Sequence, residues 1–320
     1  MAAQILDGTA IAARIRGEIA AEVKELTSQG VRPGLAAVLV GDDPASQVYV
    51  RNKVRGCKEV GIFSEGISLP AESTTEDVLS VVEALNARDE IDGILVQLPL
   101  PEQVDAKQVL YAVGPEKDVD GFHPLSVGNL QTKRLALVPC TPAGVIQILK
   151  RSGVEMRGAH AVVVGRSHIV GKPTAMLLLN EDATVTICHR YTPDLKHFTR
   201  DADILVTAVG RAGLITPEMV KPGATVIDVG INKLSSREQF ERFFPPGSPE
   251  RAKREAAFAK NGSVLVGDCD PRVMEVAGRF TPVPGGVGPL TIAMLLSNTV
   301  KAAKMRRGML EPEPVGSWRD

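Results

Sequence analysis

The chain has 320 residues, with 37 Lys+Arg against 38 Asp+Glu and a formal net charge of −1. That length accommodates two domains of ordinary size, and balanced charge with only 4 % aromatic residues speaks against nucleic acid or a membrane surface as partner. Cys57, Cys140, Cys188 and Cys269 form no Cys-x-x-Cys pair, which suits reduced, mostly buried thiols in a cytoplasmic protein better than a disulfide framework or a metal site.

Residues 1–30 carry Asp7, Arg14, Arg16, Glu18 and Glu22 at helical spacing, so they do not read as a signal peptide. No apolar run approaches the roughly 18–20 residues that span a bilayer. Strands and helices alternate, which predicts an α/β protein with parallel sheets covered on both faces. The pattern predicts a helix near 8–29, a strand over Gly34–Val40, a helix near 44–60 and a short strand at 66–69. A helix over 75–88, a buried strand over 92–98 and a loop rich in Gly, Pro and Asp over 99–128 follow. Thr141-Pro142 reads as an N-cap with proline at the first helical position, opening a connecting helix to about residue 152. Further strands are expected near 160–165, 184–189, 203–209, 224–229 and 264–267. A helix from Leu290 to about Met305 is expected to pack back on the first domain.

Residues 232–262 are dense in charge and split by Pro245-Pro246-Gly247. Ser248-Pro249-Glu250 supplies an N-cap, a first-turn proline and an acid matched to the helix dipole, and Asn261-Gly262 ends that helix. The segment is expected to be a surface helix inserted ahead of a strand. The expected domains are 1–140 with 285–308, then 141–284, with a flexible tail over 309–320.

Four places carry candidate chemistry. Ala161-Val-Val-Val-Gly165-Arg-Ser-His-Ile-Val-Gly171-Lys-Pro173 has the layout of a strand, a tight turn and a helix whose N-terminus faces a phosphate. The next strand ends in His189-Arg190 without the carboxylate that would bind a ribose 2′-hydroxyl. Arg166 and Arg190 suit a 2′-phosphate instead, although each alone is also compatible with a solvated surface arginine. Together they favour NADP. Ser46, Tyr49 and Lys53 share one face of the predicted 44–60 helix. Lys53 there either snorkels to solvent or sits partly desolvated and poised for proton transfer. Gln97 closes an apolar strand at its carboxyl end, where ligands collect in open α/β sheets. Asp118 and Asp120 form either an Asx-type turn or a carboxylate acceptor for a heterocycle; they make a poor divalent-metal site. Thr281-Pro-Val-Pro-Gly-Gly-Val-Gly-Pro289 suits backbone passing close to a ligand, and one of its X-Pro bonds is a candidate for the cis form.

These motifs together resemble the bifunctional methylenetetrahydrofolate dehydrogenase/cyclohydrolase family. The match includes Val40-Gly-Asp-Asp-Pro-Ala-Ser46 through Lys53, Gly93–Pro101, Lys117-Asp-Val-Asp120-Gly, Pro139-Cys-Thr-Pro142, Gly165–Pro173, Ile227–Ile231 and Thr281–Pro289. The resemblance implies an N-terminal three-layer α/β folate domain and a C-terminal Rossmann-like NADP domain, with a cleft between them. It also implies tetrahydrofolate derivatives as substrates and a homodimer formed through the cofactor domain. Lys53 would be the central catalytic group, with Gln97 supporting it, Asp120 on the pterin edge and Tyr49 stacking on the folate. Ser46, Val96, Leu98, Pro284, Gly285 and Gly286 would complete the folate site, and Thr141, Gly165, Arg166, Ser167, Arg190 and Ile231 the cofactor site. The chain departs from the family pattern at Ser126, Arg190 and Cys269 and in the length of 232–262. Two other readings remain: a dehydrogenase of another small substrate, which leaves Tyr49, Lys53 and the 281–289 loop without a task, and a folate-binding protein without catalysis.

Overall fold

The computed structural model describes residues 3–310. The chain forms two compact units, one made of Ala12–Cys140 with the residues from Thr291 onward, the other of the residues through Ile11 with Thr141–Leu290. It passes between them within the helices Gly8–Ser28, Cys140–Arg151 and Val287–Arg306.

The first unit holds a three-stranded parallel sheet in the order Phe63–Leu69, Gly34–Val40, Gly93–Val96. Every residue of the central strand is buried, as its unbroken apolar run requires. The edge strand Phe63–Leu69 is longer than expected, because its half-buried Ser64 and Glu65 and exposed Gly66 interrupt the apolar signal. Strand Gly93–Val96 is shorter, and Gln97 extends its ladder by one backbone bond to the Val38 carbonyl at 2.9 Å. The predicted 99–128 loop contains two short helices. Ala106–Ala112 is capped by Asp105, which accepts from the N–H groups of Lys107 and Gln108, and Pro124–Gln131 by the His123 ring. Seven or eight residues are too few for a helical period to stand out in sequence. The last helix, Val287–Arg306, packs back as expected. Arg306 and Arg307 both donate to the fully buried Asp92 at 2.6 and 2.5 Å, and the other oxygen of Asp92 accepts the Gly34 N–H.

The second unit is built on a six-stranded parallel sheet. Its order is Gln4–Ile5, Arg279–Phe280, Thr225–Asp228, Ile204–Thr207, His160–Val164, Thr184–Cys188. The two-residue strands at one edge escape any sequence period. They correct the expected boundaries, since pairing of Gln4 with Arg279 places the N-terminal residues here and not with 12–140. Residues 285–290 belong to this unit as well.

The 232–262 segment is more than a surface helix. Strands Asn232–Leu234 and Val264–Val266 pair antiparallel and enclose the helices Arg237–Phe243 and Arg251–Asn261. The resulting lobe has its own core of Leu234, Phe240, Phe244, Val264 and Val266. Ser236 caps the first helix reciprocally with Gln239. The second helix starts later than Ser248, after Glu250 in the left-handed region at φ 61°, and Gly262 ends it as expected. Part of the expected 309–320 tail, from residue 311 on, lies outside the described residues.

Candidate active site

Helix Pro44–Val60 begins because the Asp43 carboxylate accepts the Ser46 N–H at 2.7 Å and Pro44 occupies the first turn; Gly61 at φ 88° ends it. Of the three residues on its predicted face, Ser46 is 3 % exposed and Tyr49 46 %, and Lys53 is intermediate. The Lys53 side chain turns toward Gln97. Its ammonium donates to Gln97 Oε1 at 3.0 Å. The Gln97 amide nitrogen donates to the Leu98 carbonyl at 2.5 Å, which turns the amide oxygen toward Lys53. Val96 is buried and Leu98 half-buried beside them, and the Leu98–Pro99 peptide is cis.

The two aspartates differ in their surroundings. Asp118 is the turn-former: its carboxylate accepts from the His123 N–H at 2.7 Å and from the Ser126 hydroxyl at 3.2 Å. Asp120, two residues on, meets different surroundings. Desolvation pushes its carboxyl up to about 6, against the attraction of the Lys53 ammonium and with the repulsion of Asp118. The residue as a whole is half-buried.

Two supporting residues went unread in sequence. Lys117 is 2 % exposed, and its ammonium donates to the carbonyls of Leu85, Asn86 and Arg88 at 3.1, 2.8 and 2.6 Å. It caps the end of helix Thr75–Ala87, where carbonyls lack intrahelical partners, and so anchors the Asp118–Asp120 loop. Asn298 donates to the carbonyls of Val119 and Val138 at 2.7 and 2.8 Å, tying the middle of that loop to the chain near residue 138. A lysine inside a charged loop and an amide inside an apolar helix were the available signals, yet neither names its partners. Cys140 lies 3.9 Å from Asp120 Oδ1; burial pushes its thiol well above the usual range, which makes it inert.

In the second unit, strand His160–Val164 lies between Thr184–Cys188 and Ile204–Thr207, the point where strand order reverses and dinucleotides bind. Gly165 follows it at φ 131°, and a Cβ there would stand 2.4 Å from the Ala208 carbonyl oxygen. A Cβ at Gly171 would stand 2.3 Å from the Gly165 carbonyl oxygen. Both glycines are thus needed for close backbone approach, as in a phosphate-binding turn. Ser167 takes over at a later glycine position, its hydroxyl accepting the N–H groups of Val170 and Gly171, both at 3.2 Å. The helix begins at Gly171, so Pro173 is its third residue. The guanidinium groups of Arg166 and Arg190 flank the exposed Tyr191 ring at 5.7 and 4.7 Å from its centroid. The structure thus brings the two arginines to one place at the end of the second strand. Ile231 is exposed just past Thr225–Asp228. Thr141 lies inside helix Cys140–Arg151, which corrects its expected N-cap position.

The carboxyl ends of these strands are organised by two carboxylates for which sequence suggested no role. Asp268 accepts from the N–H groups of Val209, Gly210 and Arg211 at 2.8, 3.2 and 2.7 Å. Asp228 accepts from those of Gly230, Asp268 and Cys269 at 3.0, 2.9 and 2.8 Å, and burial pushes it up to about 6. Pro284, Gly285 and Gly286 belong to this unit too, with Val283–Pro284 cis as the segment suggested. The Gly285 carbonyl accepts the Thr9 N–H at 3.2 Å.

The profile of the tetrahydrofolate dehydrogenase/cyclohydrolase catalytic domain matches residues 6–120, and that of the family's NAD(P)-binding domain residues 139–307. The chain belongs to this family. It is 66 % identical over 308 residues to the bifunctional protein FolD of Koribacter versatilis, covering 96 % of this chain and 99 % of that one. The crystal structure of the bifunctional enzyme FolD from Campylobacter jejuni superposes with a TM-score of 0.84 at 42 % identity, over 95 % of this chain and all of that one. FolD of Trypanosoma brucei, solved with NADP cofactor and inhibitor, gives 0.84 at 39 % identity over 96 % of this chain and 99 % of that one. Family membership agrees with the expected two-domain α/β class and makes the chain a bifunctional dehydrogenase and cyclohydrolase with an NAD(P)-binding domain.

Proposed function

We propose that the chain oxidises 5,10-methylenetetrahydrofolate to the 5,10-methenyl form with NADP and hydrolyses that product to 10-formyltetrahydrofolate, with Lys53, Gln97 and Asp120 as the working groups. The observation that carries this assignment is the 3.0 Å hydrogen bond from Lys53 to an amide oxygen that Leu98 orients, beside a carboxyl pushed up to about 6.

NADP supplies the hydride acceptor. The glycine turn fits it, because Gly165 and Gly171 leave a backbone cradle that a Cβ would fill. Gly165, Ser167, Thr141 and Ile231 would hold it, with Arg166 and Arg190 on its 2′-phosphate. In the first step the N5 lone pair of the folate expels hydride from the bridging methylene, which leaves a methenyl cation; this step chiefly needs positioning. Tyr49 would stack on the folate and Asp120 accept from the pterin N–H edge, with Ser46, Val96, Leu98, Pro284, Gly285 and Gly286 completing its contacts. In the second step water adds to the methenyl carbon and the C–N5 bond breaks, with net release of one proton. Lys53 would relay protons from the adding water to N5 as general base and acid. Gln97 keeps the ammonium aimed.

A coupled assay with 5,10-methylenetetrahydrofolate that follows both NADPH and 10-formyltetrahydrofolate tests the reading. Reduction of NADP with formyl product is expected; absence of turnover with either NADP or NAD overturns it. Arg166→Ala and Arg190→Ala are each expected to raise the KM for NADP about 10-fold while leaving the KM for NAD nearly unchanged. Equal loss with both cofactors would mean that neither arginine reads the 2′-phosphate. The kcat/KM for the folate is expected to fall as pH drops through about 6, because Asp120 becomes protonated there and can no longer accept from the pterin as a carboxylate. Asp120→Asn should remove that acid limb; its persistence would place the titration elsewhere.

No described helix is long and apolar enough to cross a membrane. The four free, buried cysteines support a cytoplasmic location. A homodimer through the cofactor domain completes the proposal, and light scattering on the purified protein decides it.

A further inference from the structure

The loop Thr281–Gly286 has an unusual backbone problem. Pro282 and Pro284 carry no N–H, so the segment is anchored largely through its oxygens. The Thr281 hydroxyl accepts the Asp228 N–H at 2.7 Å, and the Gly285 carbonyl accepts the Thr9 N–H at 3.2 Å. Between them, the Val283 carbonyl accepts from Arg254 Nη2 at 2.6 Å. Arg254 comes from the 232–266 lobe, in the same unit of the chain.

That guanidinium is built into place. Its side chain is 13 % exposed, and Glu250 Oε2 accepts from its Nε and Nη2 at 3.2 and 3.0 Å, a fork that fixes the group's plane. Glu250 itself sits in the left-handed region at φ 61°, a conformation that costs a non-glycine residue energy. Solid packing does not hold the loop on this side. A cavity of about 460 Å³ lies there, lined by Asp7, Phe244, Glu250, Arg254, Val266 and Pro284 among others.

We propose that Arg254 is a positioning residue, and that the 232–266 lobe acts through it to hold Pro284–Gly286 in the conformation that receives the folate. The inference rests on the folate role proposed above for that loop. Arg254 is not part of the lobe's core of Leu234, Phe240, Phe244, Val264 and Val266, although it also donates to the Leu265 carbonyl at 3.5 Å, so the thermal midpoint separates loss of the lobe from loss of the loop contact.

The test compares Arg254→Met and Arg254→Lys with the unaltered enzyme. Arg254→Met is expected to raise the KM for 5,10-methylenetetrahydrofolate about 10-fold, with the KM for NADP, kcat and the thermal midpoint near their original values. Arg254→Lys, which keeps one donor for the Val283 carbonyl, should recover part of the loss. Amide hydrogen exchange at Gly285 and Gly286 should quicken in Arg254→Met. An unchanged folate KM with unchanged exchange overturns the proposal, as does a parallel rise of both KM values with a lowered midpoint. Should the unaltered enzyme fail to turn over the folate, the functional reading falls, and the exchange comparison still decides whether Arg254 holds the loop.

Discussion

Lys53→Met is expected to lower cyclohydrolase turnover by about 10²–10⁴-fold while NADP binding stays within about twofold of the unaltered enzyme. Methionine matches the lysine stem in length, so the packing of helix Pro44–Val60 survives, but it has no proton to give. Gln97 cannot substitute, since its amide nitrogen is engaged by the Leu98 carbonyl and its oxygen faces the vacated position. Hydride transfer depends more on alignment than on proton transfer, so dehydrogenase activity should fall much less. The decisive measurement is both activities and the NADP dissociation constant on one preparation. If NADP affinity drops as steeply as cyclohydrolase activity, Lys53 supports the fold and is not the proton carrier.

The second large effect is expected at Lys117, outside the reacting groups. Lys117→Met strips three carbonyls, those of Leu85, Asn86 and Arg88, of their buried donor. Leaving such acceptors unmet inside the protein costs about 3–5 kcal/mol. Desolvation already presses this ammonium below the ordinary lysine range, and Arg306 adds to the pressure, while Glu116, Asp92 and Asp89 oppose it. The three carbonyls are what justify burying the charge. The Lys117 carbonyl also accepts the Ile94 N–H at 2.8 Å, so a shift here reaches both the central sheet and, three residues on, Asp120. Urea unfolding followed by circular dichroism should show a clearly lowered midpoint, with a raised folate KM in the surviving folded fraction. An unchanged midpoint would show that water replaces the ammonium without loss, and that the capping account is wrong.

Both predictions draw on residues that sequence treats unequally. Lys53, Gln97 and Asp120 were legible as candidates because each breaks its local pattern: a cation on a helix face with Tyr49, an amide ending an apolar strand, a carboxylate in a glycine-bounded loop. Lys117 lies in the same short motif as Asp120 and was legible as a residue, but its task was not. The partners are backbone carbonyls about thirty positions earlier, and a carbonyl leaves no trace in a sequence. Asn298 is a similar case, reaching Val119 across 179 positions. Asp268 gathers three N–H groups from residues nearly sixty positions away.

By itself the sequence determined the alternation of elements, and through it the parallel sheets, because buried strands require continuous apolar runs and their helices a 3.6-residue period. It also determined the glycine turn after Val164 and singled out the side chains proposed to react, since these depend on residue type at short spacing. Tertiary structure decided the rest. Two-residue strands joined the N-terminal residues to Arg279–Phe280, the charged 232–266 segment closed on a phenylalanine core, and Asp118 and Asp120 met different surroundings. The physical reason is common to all three. Periodicity reports which face of an element is apolar, whereas pairing, desolvation and hydrogen-bond partners depend on what a distant part of the chain brings to that face.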